Sequence, residues 1–435
     1  MDRMKAYVAG ILTAASLLIM VVSSPLLANP VTIEVWSIFP EHTSPGQELI
    51  AIARSFEELH PNIKVNVTVP SAIADNLKLS VISGNPPDVT FANGGIVGNK
   101  LTFASMFEPL SPLMERDQVA DAYLPGALRS YGTWEGVTYA VPYLVDPNFA
   151  VLINRDVFRE RGLDPDFAPT TPDDLIEVNR FLTRRNAQGD LTHVGMVPWR
   201  MYGEHTALLN WSLAFGESQL SDGRRYTLDD PNVIAALEWL VEYSEMFDGV
   251  EIDAFAAGYS MFDLNQIAIQ PLTSGDATRA VETFPDIDYG LTWLPARQGG
   301  PAPAWLGGQW LAIPRGAKHQ KEAWEFIKYA TLDPRAIRLS IASRFAGSKD
   351  AYLSGAYDVT EYDRVMSPDV ARLFSFYASL ALDAQPILEA PIWYVVEMIE
   401  QIRKIVVTRE APVSEILAFN ELLNSRMEAE LRELE

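Results

Sequence analysis

The sequence predicts an α/β protein with two lobes, each a mostly parallel sheet flanked by helices. Strand-like and helical segments alternate along the chain, which is the order that builds parallel sheets covered by helices. The 435 residues have 48% apolar content, enough for two large hydrophobic cores. Beyond the N-terminal segment, no apolar run is long enough to span a membrane, so we expect the remainder to be soluble.

The first 28 residues have the pattern of an export signal. Charged residues at the start precede an uninterrupted apolar run, and small residues end it at Ala28. Cleavage after Ala28 leaves a chain that begins just before the first strand; the alternative is a signal that stays uncleaved as an anchoring helix. The chain has no cysteine, which excludes a lipid-anchor cysteine, disulfides and thiolate metal sites. We therefore predict a soluble periplasmic protein.

The charge of the chain argues against nucleic acid as a partner. Lysine and arginine number 34 against 57 aspartate and glutamate residues, which gives a formal net charge of −23. Such a surface repels phosphate backbones and anionic membranes. We expect a monomer that binds neither.

The first lobe opens with a strand, a helix and a second strand. Apolar side chains fall on one helical face over residues 45–59, and His60-Pro61 ends that helix. The predicted elements are a strand over 31–36, a helix over 45–59, a strand over 63–69, a short helix over 75–83 and a strand over 88–92. Asn93 follows the last of these, and loops at strand carboxyl ends are where open α/β sheets bind ligands.

The second lobe begins after a crossing near Pro142. An apolar strand runs into a helix that stops at Gly162. Thr171 then caps a helix whose first position is Pro172 and whose first turn is acidic. The later predictions are a helix over 232–246, strands over 266–270 and 289–294, a glycine- and proline-rich return linker over 296–303, and a packed helix within 412–435.

Three separated groups of residues carry a family resemblance. They are Ser83-Gly84-Asn85-Pro86-Pro87-Asp88-Val89; then 152–158 with 162–165 and 171–175; then Gly307-Gly308-Gln309-Trp310-Leu311-Ala312-Ile313-Pro314 with 323–327. In this order and spacing they resemble extracellular solute-binding protein family 1, the maltose/maltodextrin-type receptors of sugar ABC importers. The resemblance covers essentially the whole chain after the export signal.

The resemblance implies a type II periplasmic-binding-protein clamshell with several hinge crossings. Lobe 1 would hold residues 29–141 and 303–347, and lobe 2 would hold 142–302 and 348–435. The protein would bind one solute between the lobes, close by a ligand-driven population shift, and deliver the solute to a membrane permease. We expect no enzyme activity, cofactor or metal site.

The ligand implied is a carbohydrate, either a small sugar, an oligosaccharide or a polyol. Sugars pack flat C–H faces on aromatic rings, and their hydroxyls need carboxylates, amides and backbone N–H groups. The candidate ligand-binding residues are Trp36, Glu41, His42, Asn93, Asp146, Trp199, Glu204, Trp211, Trp305, Gly307, Gly308, Arg344 and Trp393. Trp393 stands where maltodextrin-type members carry a sugar-stacking aromatic. Gly307 and Gly308 would admit backbone N–H groups to the ligand, or simply form a tight turn.

Other ligands stay open. Gly275 is followed by Asp276 where maltodextrin-type relatives present a stacking aromatic, which disfavours a long glucan. A polyol phosphate, met by Arg344, is one alternative; a polyamine or a metal ion is another. A secreted glycosidase would use similar aromatic platforms and two carboxylates about 5–10 Å apart. The histidines show no His-Glu-x-x-His spacing, and the chain has no Gly-x-Ser-x-Gly motif.

Overall fold

The computed structural model describes residues 30–92, 105–259, 263–340, 345–357 and 367–434. The predicted export signal over 1–28 and two candidate site residues, Asn93 and Arg344, lie outside these ranges. Within them, no helix combines the length and the apolar character needed to cross a membrane.

The described chain alternates strands and helices, as predicted. The strands are β1 Val31–Trp36, β2 Ile63–Thr68, β3 Val89–Ala92, β4 Thr133–Trp134, β5 Val137–Thr138, β6 Ala140–Asn148, β7 Ala150–Asn154, β8 Arg184–Arg185, β9 Leu191–His193, β10 Ile269–Leu272, β11 Tyr289–Trp293, β12 Trp305–Ala312 and β13 Phe345–Ala346. The helices are α1 Ser44–Leu59, α2 Ile73–Ile82, α3 Ser111–Asp117, α4 Pro125–Ser130, α5 Arg155–Glu160, α6 Pro172–Leu182, α7 Glu204–Gly216, α8 Pro231–Phe247, α9 Gly249–Ala257, α10 Ser274–Thr283, α11 Gln320–Leu332, α12 Pro334–Leu339, α13 Lys349–Leu353, α14 Pro368–Ala381, α15 Val395–Val406 and α16 Glu415–Leu434.

Two sheets organise these elements, and their strand directions differ from the prediction. The larger sheet has the order β13-β6-β12-β3-β1-β2, and the smaller has the order β10-β7-β11. Only β1–β2 and β1–β3 are parallel among the described pairings of these sheets; the others are antiparallel. The α/β class is confirmed, but the expectation of mostly parallel sheets is wrong. The reason is that β6 carries the chain out of the larger sheet and β12 returns it, so they run in opposite directions.

Buried apolar side chains form two separate cores. The first surrounds the larger sheet and includes Phe91, Trp310 and Trp324, all fully buried. The second surrounds the smaller sheet and includes Trp199 and Trp211. A chain of this length thus builds two cores, as its apolar content predicts.

One segment departs from the predicted lobe boundaries. The prediction assigns all of 348–435 to lobe 2, but α14 packs on β6 and α10, and its apolar face belongs to the first core. The Tyr377 hydroxyl of α14 also donates to the Leu272 carbonyl oxygen at 2.6 Å. The chain therefore returns to the first core before it completes the second with α15 and α16. The remaining lobe boundaries stay a prediction.

Capping residues and apolar periodicity in the sequence predict the start of α6 and the presence of α16. The Thr171 side chain accepts from the Asp174 N–H, and Asp174 accepts in return from the Thr171 N–H at 2.9 Å, which completes a capping box. The predicted C-terminal helix is present as α16, where Ile416, Leu423 and Met427 are buried in the second core.

Candidate functional site

The candidate site lies beyond the carboxyl ends of β1 and β3. Trp36, the last residue of β1, is level with Thr90 of β3. Two residues later β3 ends opposite Trp310, whereas β12 and β6 continue past that point, with Gly307 opposite Asp146. This register puts Trp36 and Asp146 at the same edge of the larger sheet. Open α/β sheets bind their ligands at such an edge.

Asp146 is a partly buried carboxylate on the crossing strand β6. Its Oδ1 accepts from the Ser274 backbone N–H at 3.2 Å and from the Ser274 hydroxyl at 2.5 Å. Burial, with a further contribution from the charge of Asp276, raises the pKa of Asp146 to about 6, although the Ser274 bonds oppose the rise. In the described part of the chain, Ser274 alone bonds this carboxyl, and it does so through Oδ1.

The second core contributes a cavity of about 400 Å³, a volume typical of small-molecule sites. Two predicted site residues, Trp199 and Glu204, both line it. The full lining is Val197, Trp199, Arg200, Tyr202, Gly203, Glu204, Ala256, Ala257, Tyr259, Ile267, Ile269, Gln270, Pro271 and Arg403. Residues from the loop before α7, from α9, from β10 and from α15 therefore meet in one wall.

Three lining side chains, Trp199, Glu204 and Arg403, form a hydrogen-bonded group with Asp253, which lies behind the lining; we call these four residues the wall network. The Trp199 indole N–H donates to Asp253 Oδ1 at 3.0 Å. The Arg403 guanidinium donates from Nη2 to Asp253 Oδ2 and from Nη1 to Glu204 Oε1, each at 2.6 Å. Arg200 Nε lies 3.5 Å from Asp253 Oδ1. Two cations, Arg200 and Arg403, thus face two carboxylates, Glu204 and Asp253, and these four charges sum to zero.

Tyr202 is an exposed aromatic on the cavity rim that the sequence analysis missed. Its side chain is 66% exposed, and its φ of +60° is strained for a residue other than glycine. Partial burial raises the pKa of Tyr202, and the charges of Asp276 and Asp146 add to the rise. Tyr202 therefore lies near Asp146 on the crossing strand β6. Backbone strain of this kind is concentrated at functional sites. The sequence marks this strained backbone only by the next residue, Gly203, whose φ is +99°.

Gln270 contributes an unpaired polar group to the same wall. Its side chain on β10 is 6% exposed, and its Nε2 has no hydrogen-bond partner among the described residues. Gln270 also lines the cavity, so its side-chain amide can donate a hydrogen bond to a bound molecule.

Besides Trp199, two predicted aromatics lie inside the second core. Trp211 is fully buried, donates to the Pro198 carbonyl oxygen at 2.9 Å and packs against Trp239 at 4.4 Å between ring centroids. Trp305 is buried as well and donates to Asn210 Oδ1 at 3.0 Å. Neither residue lines the cavity. Both rings fill a core, which is the other common use of tryptophan.

Gly307 and Gly308 lie within β12, so they form neither a turn nor an open loop. A Cβ on Gly308 would lie 2.2 Å from the Leu144 carbonyl oxygen, and the φ of Gly308 is +132°. A Cβ on Gly307 would lie 3.1 Å from Asn148 Nδ2. The close approach of β6 therefore explains the missing side chains.

The other predicted residues lie apart from the cavity lining. Trp36 is partly buried at the end of β1, and Glu41 and His42 are exposed in the turn before α1. Trp393 lies just before α15, is partly buried and stacks on Tyr226 at 5.4 Å between ring centroids. The structure thus groups Trp199 with Glu204 and Trp36 with Asp146.

Comparison with known proteins identifies a family for most of the chain. Residues 40–335 match the model of the bacterial extracellular solute-binding proteins. A curated relative from Pyrococcus horikoshii, named an uncharacterized ABC transporter extracellular-binding protein, is 25% identical over 191 residues. That alignment covers 40% of this chain and 43% of the relative, so it spans less than half of either protein.

Solved structures of low sequence identity share the fold. The cyclic α-maltosyl-1,6-maltose binding protein of Arthrobacter globiformis is 19% identical, with a TM-score of 0.71 over 92% of this chain and 99% of its own. The sugar-binding protein MalE of Xanthomonas citri is 16% identical, with a TM-score of 0.71 over 93% and 99%. An ABC transporter solute-binding protein of Thermotoga lettingae, bound with α-D-tagatose, is 19% identical, with a TM-score of 0.66 over 91% and 100%. These likenesses confirm the predicted fold.

Proposed function

This chain belongs to the bacterial extracellular solute-binding protein family, and from that premise we propose that it is the solute receptor of an ABC importer and binds an uncharged carbohydrate. The observation that carries the proposal is the cavity wall, where a tryptophan and a rim tyrosine stand beside a charge-neutral set of hydrogen-bonding groups. The similar proteins are named as sugar-binding proteins or were solved with a sugar bound. Under this proposal the protein is a periplasmic monomer, has no enzyme activity and delivers its solute to a membrane permease.

The wall suits a neutral polyhydroxylated ligand. The exposed ring of Tyr202 offers an apolar face for sugar C–H groups, and the buried ring of Trp199 adds apolar surface to the lining. The carboxylates of Glu204 and Asp146 accept hydrogen bonds from hydroxyls, and the Gln270 amide is an unpaired donor. An aromatic face with polar groups of both kinds is what a sugar requires.

The ion pairs argue against a phosphorylated ligand. Arg403 already binds two carboxylates, Arg200 faces Asp253, and Arg279 binds Asp276 at 2.8 Å. At the described arginines a phosphate would compete with the carboxylate that each already faces, and displacing a buried carboxylate is costly. An uncharged hydroxyl group leaves every pair intact.

The position of the cavity supports a closure mechanism. Asp146 lies on the strand that joins the two sheets, and Tyr202 lies near it on the rim of the second core. A ligand that contacts both at once binds the closed state more tightly and shifts the population toward it. We expect saturating ligand to lower the radius of gyration in solution scattering, and identical profiles would contradict closure.

A thermal-shift screen of the purified protein tests the proposal. The panel holds mono- and disaccharides, polyols, glycerol phosphates, polyamines and metal ions. A solute present at a hundred times its dissociation constant adds about 2.7 kcal/mol of apparent stability. A neutral sugar that shifts the melting temperature and is recovered unchanged supports the proposal. A phosphate or cation as the sole hit contradicts the proposal that the ligand is an uncharged carbohydrate. A glycoside that is cleaved contradicts the proposal that the protein is a receptor without enzyme activity.

Tyr202→Ala should weaken binding of that sugar about fivefold and leave the melting temperature of the free protein unchanged. The ring is mostly exposed, so its removal opens no core cavity, whereas a lost aromatic stacking contact is worth about 1 kcal/mol. Tyr202→Phe is the matched control, because it keeps the ring and should retain near-normal affinity. Isothermal titration of the three proteins gives the comparison, and equal affinities would exclude stacking on Tyr202.

A further inference from the structure

Three helices meet at Arg403. This residue lies on α15, Glu204 begins α7 and Asp253 lies on α9. We propose that Arg403 is a positioning residue for the ligand: by clamping Asp253 it fixes the orientation of the Trp199 indole, and by clamping Glu204 it holds that carboxylate in the cavity wall. The inference deepens the proposed function and rests on it.

The geometry leaves the Asp253 carboxylate a single orientation. Its Oδ2 accepts from Arg403 at 2.6 Å, and its Oδ1 accepts from the Trp199 indole at 3.0 Å. Rotation of the carboxylate would break both bonds together. Because a planar guanidinium presents its N–H groups at fixed angles, the position of Arg403 is transmitted through Asp253 to the indole.

Burial makes this clamp necessary. Asp253 is 6% exposed and Glu204 is 9% exposed, so neither carboxylate can rely on water for solvation. Without Arg403 these two like charges would lose the cation they share, and in the described part of the chain Asp253 would keep Arg200 Nε at 3.5 Å from its Oδ1. Their movement apart would displace the Glu204 carboxylate from its place in the cavity wall and would carry the indole with Asp253.

A lysine at this position separates charge from geometry. Arg403→Lys keeps the cation, but one ammonium on a flexible stem does not reproduce a fork that binds two carboxylates on different helices. Arg426→Lys is the matched control, because Arg426 pairs with Glu397 at 3.4 Å and lies over the Tyr394 ring, outside the cavity lining.

Fluorine NMR of protein labelled with 5-fluorotryptophan reads the indole directly. Trp199→Phe assigns the Trp199 resonance by its loss from the spectrum. We expect Arg403→Lys to move or broaden that resonance in the absence of ligand and to weaken sugar binding about tenfold. Arg426→Lys should change neither. Glu204→Gln breaks the other arm of the clamp and should leave the Trp199 resonance close to its position in the unmodified protein.

The outcomes separate this inference from the proposed function. An unmoved Trp199 resonance in Arg403→Lys overturns the inference, as does a moved resonance with unchanged sugar affinity, which would make the clamp purely structural. If no sugar binds the unmodified protein, the proposed function fails and the role toward a ligand fails with it, although the ligand-free spectrum still reports the coupling. Should Arg403→Lys not fold, Asp253→Asn replaces it, and an unmoved resonance there is equally decisive.

Discussion

Gly308→Ala should destabilise the protein by roughly 3 kcal/mol or more, the largest loss that we expect from adding a single methyl group. Two independent costs contribute. The φ of +132° is a conformation that residues with a side chain rarely adopt, and the new Cβ would lie 2.2 Å from the Leu144 carbonyl oxygen. The neighbour is backbone of β6, so β6 and β12 must separate to relieve the contact.

Gly275→Ala provides the matched control. Gly275 lies in the first turn of α10, has no atom within 4 Å of its would-be Cβ, and adopts no left-handed conformation. Alanine there should be neutral or stabilising by up to about 1 kcal/mol. Urea denaturation followed by circular dichroism compares the midpoints of the three proteins. Equal midpoints for Gly308→Ala and the unmodified protein would show that β12 has room for a side chain.

Asp146→Asn should stabilise the protein at neutral pH, on the order of 2 kcal/mol, and weaken ligand binding about tenfold. The folded-state pKa of about 6 exceeds the value of about 3.9 for an unfolded aspartate. The protonated carboxyl therefore contributes stability that is fully present below about pH 4 and is lost as the pH rises through about 6. An uncharged amide avoids that loss, and its oxygen still accepts the Ser274 bonds.

The unfolding free energies of Asp146→Asn and of the unmodified protein are compared at several pH values. His205 has the opposite effect, because burial lowers its pKa to about 4 and its neutral form favours folding as the pH rises. That contribution is common to both proteins and cancels in their difference. The difference in unfolding free energy should be near zero at pH 4 and should grow to its full value by pH 7. A constant difference would remove Asp146 as its source.

The second expected effect of Asp146→Asn is weaker ligand binding. A carboxylate accepts a stronger hydrogen bond from a sugar hydroxyl than an amide oxygen does. A variant that is more stable but binds less tightly has the signature of a residue retained for function at a cost in stability. Unchanged affinity would leave the raised pKa without a role in ligand binding.

Local patterns in the sequence predicted most of the elements that matter. The alternation over 31–36 gave β1, the apolar face over 45–59 gave α1, and Thr171 with Asp174 marked the start of α6. Each of these signals lies within one turn or one strand of the element it predicts. Strand direction is not local, and there the prediction was wrong for β6 and β12, because their pairing depends on how the chain returns to the sheet.

The site was predicted in part for the same reason. Trp199 and Glu204 were identified by residue type, and both line the cavity. Arg403 could not be identified, because it meets Glu204 across 199 residues of sequence and nothing near it marks that contact. Trp211 was chosen by the same criterion as Trp199 and lies in the same core, but outside the cavity lining. Residue type alone does not distinguish a ring that faces a ligand from one that fills a core.

Both cores include residues from near the C-terminus, and this determines when each core can be completed during folding. The first core includes α14 and the second includes α15 and α16, so each contains residues from beyond position 367. Neither core is complete until that last segment is available, and contacts so distant in sequence form slowly. If the predicted signal over 1–28 exports the chain, both cores can therefore be completed only after the last segment has crossed the membrane.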